Sequence, residues 1–183
     1  MKYYRMCDDL DDRWAIGHFE FKDGDNVWTF TKSGTKGALG YVPKAWIREH
    51  GRRVNVTYGD FDVLIVDDYA KDCFSPEEAL FFPIEIVDLS DRSVNYYIMK
   101  ILHEVECVDL ELSEYDLWEV NNPIRPDKAG NFKAIYKLVI DTSRNIEWNI
   151  FRIKRFNIEI VVSKAVKEKL EKKSISGVKF KEA

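Results

Sequence analysis

Runs of β-branched and aromatic residues recur along the chain and predict at least six β-strands. Predicted helices are fewer and short. The pattern therefore favours an α+β fold, with a mixed, mainly antiparallel β-sheet and a few short helices, one of them near the C-terminus. The candidate strands are residues 54–58, 63–66, 84–87, 94–102, 134–140 and 158–162.

Two segments carry local signals for the ends of helices. Residues 43–50 begin with Pro43 and are followed by Gly51, and these residue types suit the first turn and the C-terminal cap of a helix. Ser75 stands three residues before Glu78, and this spacing predicts a capping box at the start of a second helix. We therefore expect one helix over 43–50 and another beginning after Ser75.

The clearest helix is predicted over residues 164–173. Ser163 can cap its first turn, and Val166 and Leu170 lie four residues apart on one face, opposite a lysine-rich face. A strand-like run precedes this helix and another follows it, and residues 64–82 repeat that order. The two stretches are either a duplicated element or a chance likeness.

The length of 183 residues fits a single domain, residues 1–183, with or without a small N-terminal lobe at about residues 1–58. The N-terminus turns acidic at Asp8 and Asp9, so no secretory signal is expected. No apolar stretch approaches the length of a membrane span. We expect a cytoplasmic protein with no membrane partner.

Charge is divided unevenly along the chain. Residues 1–151 carry a formal net charge of −10 and residues 152–183 a net charge of +6. Within the acidic part, residues 104–119 contain seven carboxylates and neither lysine nor arginine, and residues 60–78 contain seven carboxylates against one lysine. Such runs form either a solvated face or a negative surface that attracts a basic partner.

The sequence lacks the common motifs of active sites, such as Gly-x-Ser-x-Gly, His-Glu-x-x-His, a Walker loop or a dinucleotide fingerprint. We predict a protein that is not an enzyme and uses no cofactor. Gly34, Gly37 and Gly40 lie among lysines and form either an anion-binding loop or a plain connection, and the connection is favoured. The alternative function is a small enzyme or ligand-binding module that uses this loop or a carboxylate pair.

His103 and Cys107 stand four residues apart and could hold zinc if they lay on a helix. Residues 98–108, however, have the pattern of a strand that runs into a bend, which would separate the two side chains. We predict no metal site. The three cysteines are odd in number and widely spaced, which favours reduced thiols over disulfides.

A basic strip follows the acidic part of the chain. Arg152, Lys154 and Arg155 alternate with Ile153 and Phe156, a pattern that could contact phosphates. The acidic remainder of the chain would repel nucleic acid. We therefore expect no nucleic-acid partner.

Several sequence blocks together resemble the immunity proteins of bacterial polymorphic toxin systems. The densest similarity lies at the end of the chain, in a former domain-of-unknown-function family with an "IFRI…IVVS…GVKF"-like signature. Here that signature is residues 150–153, 160–163 and 177–180, with a charged helix between the last two blocks. Three further blocks, residues 80–86, 96–99 and 108–113, are similar to blocks of that family and occur in the same order as in the family.

The resemblance implies an antidote that binds and neutralises a cognate toxin domain, so that the producing cell survives. It implies no enzymatic activity. Many toxin domains of such systems are nucleases, whose cationic clefts an acidic surface can occlude. A further alternative is a structural or scaffolding subunit, which would be favoured if the acidic part of one copy pairs with the basic part of another in a homodimer.

The toxin contact is expected on the acidic run of residues 104–119, because carboxylates beside an aromatic anchor suit an interface. Ser113 to Asp116 could instead form a capping box at the start of a short helix. The predicted contact residues are Asp109, Glu111, Glu114, Asp116 and Trp118.

Overall fold

The computed structural model describes residues 2–11, 13–90 and 93–183 of the chain. Its helices are α1 (Val27–Thr31), α2 (Asp68–Lys71) and α3 (Lys164–Lys172). Short 3-10 turns lie at Asp60–Asp62 and Pro126–Lys128. Its strands are β1 (Tyr3–Asp8), β2 (Ala15–Glu20), β3 (Lys44–Glu49), β4 (Val56–Tyr58), β5 (Leu64–Asp67), β6 (Ala79–Ile86), β7 (Tyr96–Ile101), β8 (Glu104–Val105), β9 (Glu114–Leu117), β10 (Phe132–Lys137), β11 (Ile150–Ile153), β12 (Phe156–Ser163) and β13 (Val178–Glu182).

The strands form two large sheets and one small one. The six-stranded sheet has the order β2-β3-β6-β7-β5-β4, and the five-stranded sheet has the order β13-β1-β12-β11-β8. Strands β9 and β10 form a separate two-stranded sheet. The named strand pairs are antiparallel except for β3 with β6 and β8 with β11. The predicted α+β class with mixed, mainly antiparallel sheets is confirmed.

Strands β5 and β11 are buried along their whole length because core residues lie on both faces of their sheets, which explains why they read as continuous apolar runs. On β5, Leu64 and Val66 enter a core shared by the two sheets, whereas Ile65 points to a second core on the side of α1. On β12, Val162 enters the shared core and Val161 enters a third core. Burying one such side chain contributes roughly 1.5–3 kcal/mol.

The helix predicted over residues 43–50 is wrong, because this segment is the strand β3. It pairs antiparallel with β2 and parallel with β6, and Ala45 lies fully buried between these partners. The carbonyl of Pro43 accepts the backbone N–H of Glu85 at 2.9 Å, so the proline starts a strand rather than a helical turn. Sheet pairing has overridden the local capping signals.

The helix expected after Ser75 is also absent. The Ser75 hydroxyl accepts the backbone N–H of Glu77 at 3.2 Å, as a capping residue does. The chain then makes a single turn, in which the Ser75 carbonyl accepts the N–H groups of Glu78 and Ala79. Ala79 already pairs with Ile101 as the first residue of β6. The capping signal is real, but strand pairing ends the helix before it can extend.

The helix predicted near the C-terminus is confirmed as α3. The Ser163 hydroxyl accepts the backbone N–H of Val166 at 3.4 Å and caps the first turn. Val166 and Leu170 are both buried in the core shared by the sheets. The stretches around α2 and α3 both have the predicted order of strand, helix and strand, as β5-α2-β6 and β12-α3-β13.

Candidate binding surface

Residues 109–139, which we call the arm, contain the hairpin of β9 and β10 and pack over one face of the five-stranded sheet. Hydrogen bonds close the base of the arm, from the N–H of Asp109 to the carbonyl of Val139 and from the N–H of Asp141 to the carbonyl of Cys107. The Ser113 hydroxyl also accepts the Val139 N–H and donates to the Val139 carbonyl. Hydrogen bonds therefore hold the two ends of the arm together.

One face of the hairpin is packed against the rest of the protein. Tyr115 packs edge-on against Phe132 at 5.2 Å between ring centroids. Phe132, Ile135 and Leu138 belong to the third core, together with Phe151 of β11. This packing holds the hairpin rigidly enough to present its other face.

The opposite face carries two exposed carboxylates on β9, and Lys137 of β10 pairs directly with the first of them, Glu114. Glu114 and Asp116 are two residues apart on β9 and so share this face. The Tyr136 hydroxyl donates to Asp116 at 2.7 Å, and this bond raises the pKa of the tyrosine. Exposed apolar side chains at this density usually mark interaction sites. Tyr136 lies on this face, and the other large exposed apolar residues of the arm lie around it, in the turn before β9 (Leu110, Leu112), at the end of β9 (Leu117) and in the loop after β9 (Val120, Ile124).

The five predicted contact residues do not all lie together. Glu111 is exposed, and Glu114 and Asp116 share the outer face of the hairpin. The carboxylate of Asp109 instead accepts the N–H groups of residues 111 and 112 at 3.0 Å each and so shapes the turn before β9. Trp118 is half-buried, with the ammonium groups of two lysines within 6 Å of its ring. The structure thus brings together Glu114 and Asp116 and places Asp109 and Glu111 in the turn before β9.

The alternative of a helix starting at Ser113 is wrong. Residues 114–117 form β9, which pairs with β10, for example at Tyr115 with Ile135. The Ser113 hydroxyl bonds to Val139 instead of capping a helix. The acidic side chains are therefore displayed on a strand, where alternate residues face the solvent.

A basic groove lies beside the arm and was missed in the sequence. It has a volume of about 800 Å³, and Trp118 lies in its wall together with Lys128, Lys133 and Arg155. These residues come from separate parts of the chain, so no local motif marks them. The one available signal was the basic strip at residues 152–155, of which Arg152 does not reach the surface.

Arg152 is fully buried under the five-stranded sheet. It donates to the carbonyl of Asn157 at 2.5 Å and to that of Asp62 at 3.4 Å, and burial lowers the pKa of its guanidinium group. Its role is to satisfy backbone carbonyls inside the protein. The surface strip predicted from Arg152, Lys154 and Arg155 is therefore wrong at its first residue.

The remaining candidates from the sequence have structural roles. His103 stacks on Trp148 with ring centroids 3.5 Å apart, and its Nε2 lies 3.0 Å from the Glu77 carbonyl. Cys107 is fully buried, and burial raises its pKa to about 12. Gly34 lies in an irregular connection, as expected, where its N–H donates to the Leu102 carbonyl at 3.0 Å. Within the described ranges, no three metal-binding side chains form a cluster.

Comparison with known proteins identifies the family. No helix in the described part of the chain is both long and apolar enough to cross a membrane. No curated protein matches the sequence. A family model described as "Immunity protein family (Imm11)" matches residues 49–183, which include the arm, both strand–helix–strand stretches and most of the two large sheets. The chain therefore belongs to the Imm11 immunity protein family.

Proposed function

We propose that this protein binds a cognate toxin domain in the cytoplasm of the producing cell and neutralises it by occluding its active site. The outer face of the arm makes the contact through Glu114 and Asp116, together with Glu111 of the preceding turn. Family membership supports a toxin partner in general. The observation that carries the placement is the pair of exposed carboxylates on β9, flanked by exposed apolar side chains in the turn before β9 and in the loop after it, on a hairpin whose other face is packed.

The charge of this face indicates the chemistry of the partner. Complementary charge raises association rates and selects the partner, while apolar contacts supply much of the affinity. A basic active site of the kind that binds phosphates in nucleases suits the arm face best. The protein acts by binding alone and needs neither cofactor nor catalysis.

The proposal is tested by reversing charge on the arm face. The double variant Glu114→Lys/Asp116→Lys is co-expressed with the toxin encoded beside this gene, and growth rescue and co-purification are scored. We expect binding to weaken at least a hundredfold, because two attractive contacts become repulsive ones. Variants of Asp109 and Trp118 should weaken toxin binding by this face less, because neither side chain lies on it.

A matched control carries the same charge change elsewhere. Glu20→Lys/Glu49→Lys alters two exposed carboxylates on β2 and β3 and should leave rescue intact. Circular dichroism must show that both variants are folded. Full rescue by the folded arm variant would refute the placement, and a neighbouring gene product that the wild-type protein neither binds nor neutralises would refute the function.

A further inference from the structure

The basic groove is formed by four separate parts of the chain, one of which contributes only Glu104 of β8. Helix α1 and the residues after it contribute Trp28 and Lys32, and the loop between β9 and β10 contributes Trp118 and its neighbours. The turn between β11 and β12 forms the remaining wall. At about 800 Å³, the groove is large enough for several side chains of a partner.

Positive charge dominates the lining. Six basic side chains face two carboxylates, those of Glu104 and Asp127. Asp127 is already engaged by one arginine through two bonds of 3.0 and 2.8 Å. Three of the lysines form no ion pair with any described carboxylate and can therefore receive an anionic group. The basic residues are Lys32, Arg125, Lys128, Lys133, Lys154 and Arg155.

Aromatic side chains lie between these charges. Trp28 is half exposed and packs edge-on against Phe61 at 5.9 Å. The ammonium groups of Lys128 and Lys133 lie 5.8 and 5.6 Å from the ring of Trp118. Tryptophan surrounded by cations is a common arrangement at interface hot spots, because the ring contributes contact area while the cations orient the partner.

The turn that closes the groove has an unfavourable backbone conformation. Arg155 has a φ of +67°, a region that residues other than glycine rarely adopt. In this conformation its guanidinium group lies 5.1 Å from the Phe132 ring and donates to Glu106 at 3.0 Å. Strained residues of this kind concentrate at functional positions. The contacts of Arg155 with Phe132 and Glu106 hold this turn against the arm.

We propose that the groove binds an acidic segment of the toxin, with an aromatic or apolar side chain seated against Trp28 or Trp118. This inference rests on the proposed function and adds a second contact, of opposite charge to the arm face. A protein segment fits better than nucleic acid. Carboxylates in a protein segment can be spaced to meet the lysines and to avoid Glu104, and apolar side chains between them can contact the tryptophans, whereas a nucleic acid brings a continuous run of phosphates that Glu104 and the net charge of −4 repel.

The groove can be tested with a defined probe. A fluorescein-labelled peptide of four Asp-Glu-Phe repeats is titrated with the full-length protein, and fluorescence polarisation is measured. We expect binding that is at least tenfold tighter than that of a Lys-Lys-Phe repeat peptide and that weakens as salt is raised. The variant Lys128→Glu/Lys133→Glu should weaken it at least tenfold. The control Lys22→Glu/Lys172→Glu, on exposed lysines elsewhere, should not.

Further outcomes separate the groove from the arm. The arm variant Glu114→Lys/Asp116→Lys should bind the acidic peptide as the wild type does. The proposal would be overturned if the groove variant bound the acidic peptide as tightly as the wild type does. It would also be overturned if a twelve-residue oligothymidylate bound the same site more tightly than the peptide. Unchanged toxin affinity in the groove variant would show that the segment is not the toxin's. Groove-dependent peptide binding without any toxin neutralisation would refute the proposed function but not the groove.

Discussion

The two strand–helix–strand units of the protein share one topology in different surroundings. In the first unit, β5 and β6 lie on either side of β7, and in the second, β12 and β13 lie on either side of β1. A preceding strand pairs with each unit, β4 with β5 and β11 with β12. The central strands both contain Tyr-Tyr-x-Met, at residues 96–99 and 3–6, in the same register.

The starts of the two helices also correspond. Asp67 and Ser163 each accept the backbone N–H three residues further on, at 2.8 and 3.4 Å. The N–H of Asp67 donates to the carbonyl of Asn55, and the N–H of Ser163 donates to that of Asn149. An asparagine therefore stands opposite the helix cap in both units, at the start of the preceding strand.

The units hold each other by reciprocal contacts. The N–H of Asn55 in the first unit donates to the Ser176 hydroxyl in the second at 3.2 Å. The N–H of Asn149 in the second donates to the Glu78 carboxylate in the first at 2.5 Å. Ser176 and Glu78 both precede the last strand of their unit. Each unit thus makes a similar contact to the other, as in an approximate twofold symmetry between them.

A lysine lies over two aromatic rings at the same place in each unit. Lys71 lies 4.0 Å from the ring centroid of Tyr97 and 5.7 Å from that of Phe81. Lys167 lies over the corresponding tyrosine and phenylalanine, at 5.0 and 5.8 Å. Each lysine is four residues beyond the cap, so the same helical position faces the sheet.

The differences between the units are in what surrounds them. Strand β3 pairs with the outer side of β6, whereas no described strand pairs with the outer side of β13. Helix α2 has four residues and α3 has nine. Strand pairing and the cap therefore decide where each helix begins, whereas the residues that follow the cap decide how long the helix becomes.

The largest expected effect comes from Gly177, the residue before β13. Its φ is +91°, and an added Cβ would lie 1.9 Å from the carbonyl oxygen of Val56. Gly177→Ala should lower the free energy of unfolding by at least about 3 kcal/mol, because the contact between the units must open. Urea unfolding followed by tryptophan fluorescence measures this change.

The control is Gly37→Ala, at a glycine with no atom within 4 Å of the added Cβ. Its effect should stay within about 0.5 kcal/mol. The corresponding position of the first unit is Glu78, whose carbonyl accepts the N–H of Leu102 as that of Gly177 accepts the N–H of Asp9. Equal stability of the two glycine variants would mean that the second unit can shift freely against the first.

The helix caps should differ in strength between the units. Asp67→Ala removes the cap of α2 and leaves the side-chain amide of Asn55 without the acceptor that it contacts at 2.7 Å. We expect a loss of about 2 kcal/mol, against about 1 kcal/mol for Ser163→Ala, because the first cap is a charged acceptor.

The exchanges Asp67→Ser and Ser163→Asp separate the effect of the capping residue type from the effect of its position in the fold. Both residue types are good caps, so each exchange should cost less than the alanine variant at the same position. The same urea experiment measures all four variants. A larger loss for Ser163→Ala than for Asp67→Ala would contradict the ranking.

The smallest expected effect concerns the two lysines. Lys71→Met should lower the free energy of unfolding by about 0.5 kcal/mol, because the attraction between its ammonium group and the Tyr97 ring is lost while the apolar stem is kept. Lys167→Met should have a weaker effect, since its distances to the rings are longer. Thermal unfolding at equal protein concentration compares both with the exposed control Lys22→Met, and a larger effect for the control would exclude the ring contacts as a source of stability.

Much of the fold could be predicted from sequence because its signals are local. Strands β5 and β12 are rich in β-branched residues, and Ser163 with the apolar pair four residues apart marked α3 correctly. The prediction of a helix over residues 43–50 failed because proline and glycine at the two ends of a segment suit a strand between tight connections as well as a helix. Only the partners β2 and β6, distant in sequence, decide between them.

The candidate surface was predictable only in part. An acidic run without lysine predicted exposed carboxylates, and Glu111, Glu114 and Asp116 are exposed. The turn made by Asp109 depends on bonds to its own backbone, and the groove around Trp118 depends on lysines brought together by three distant segments. Sequence reasoning can find such residues one at a time but not their assembly.

The position of β1 between β12 and β13 has a consequence for the order of folding. Tyr3 pairs with Ser163, and Met6 pairs with Phe180, so the five-stranded sheet needs contacts between residues far apart along the chain. Such contacts form slowly. During synthesis we expect the six-stranded sheet, contained within residues 15–101, to form first. Until β12 and β13 emerge from the ribosome, β1 is an unpaired strand that could insert into another copy of the chain.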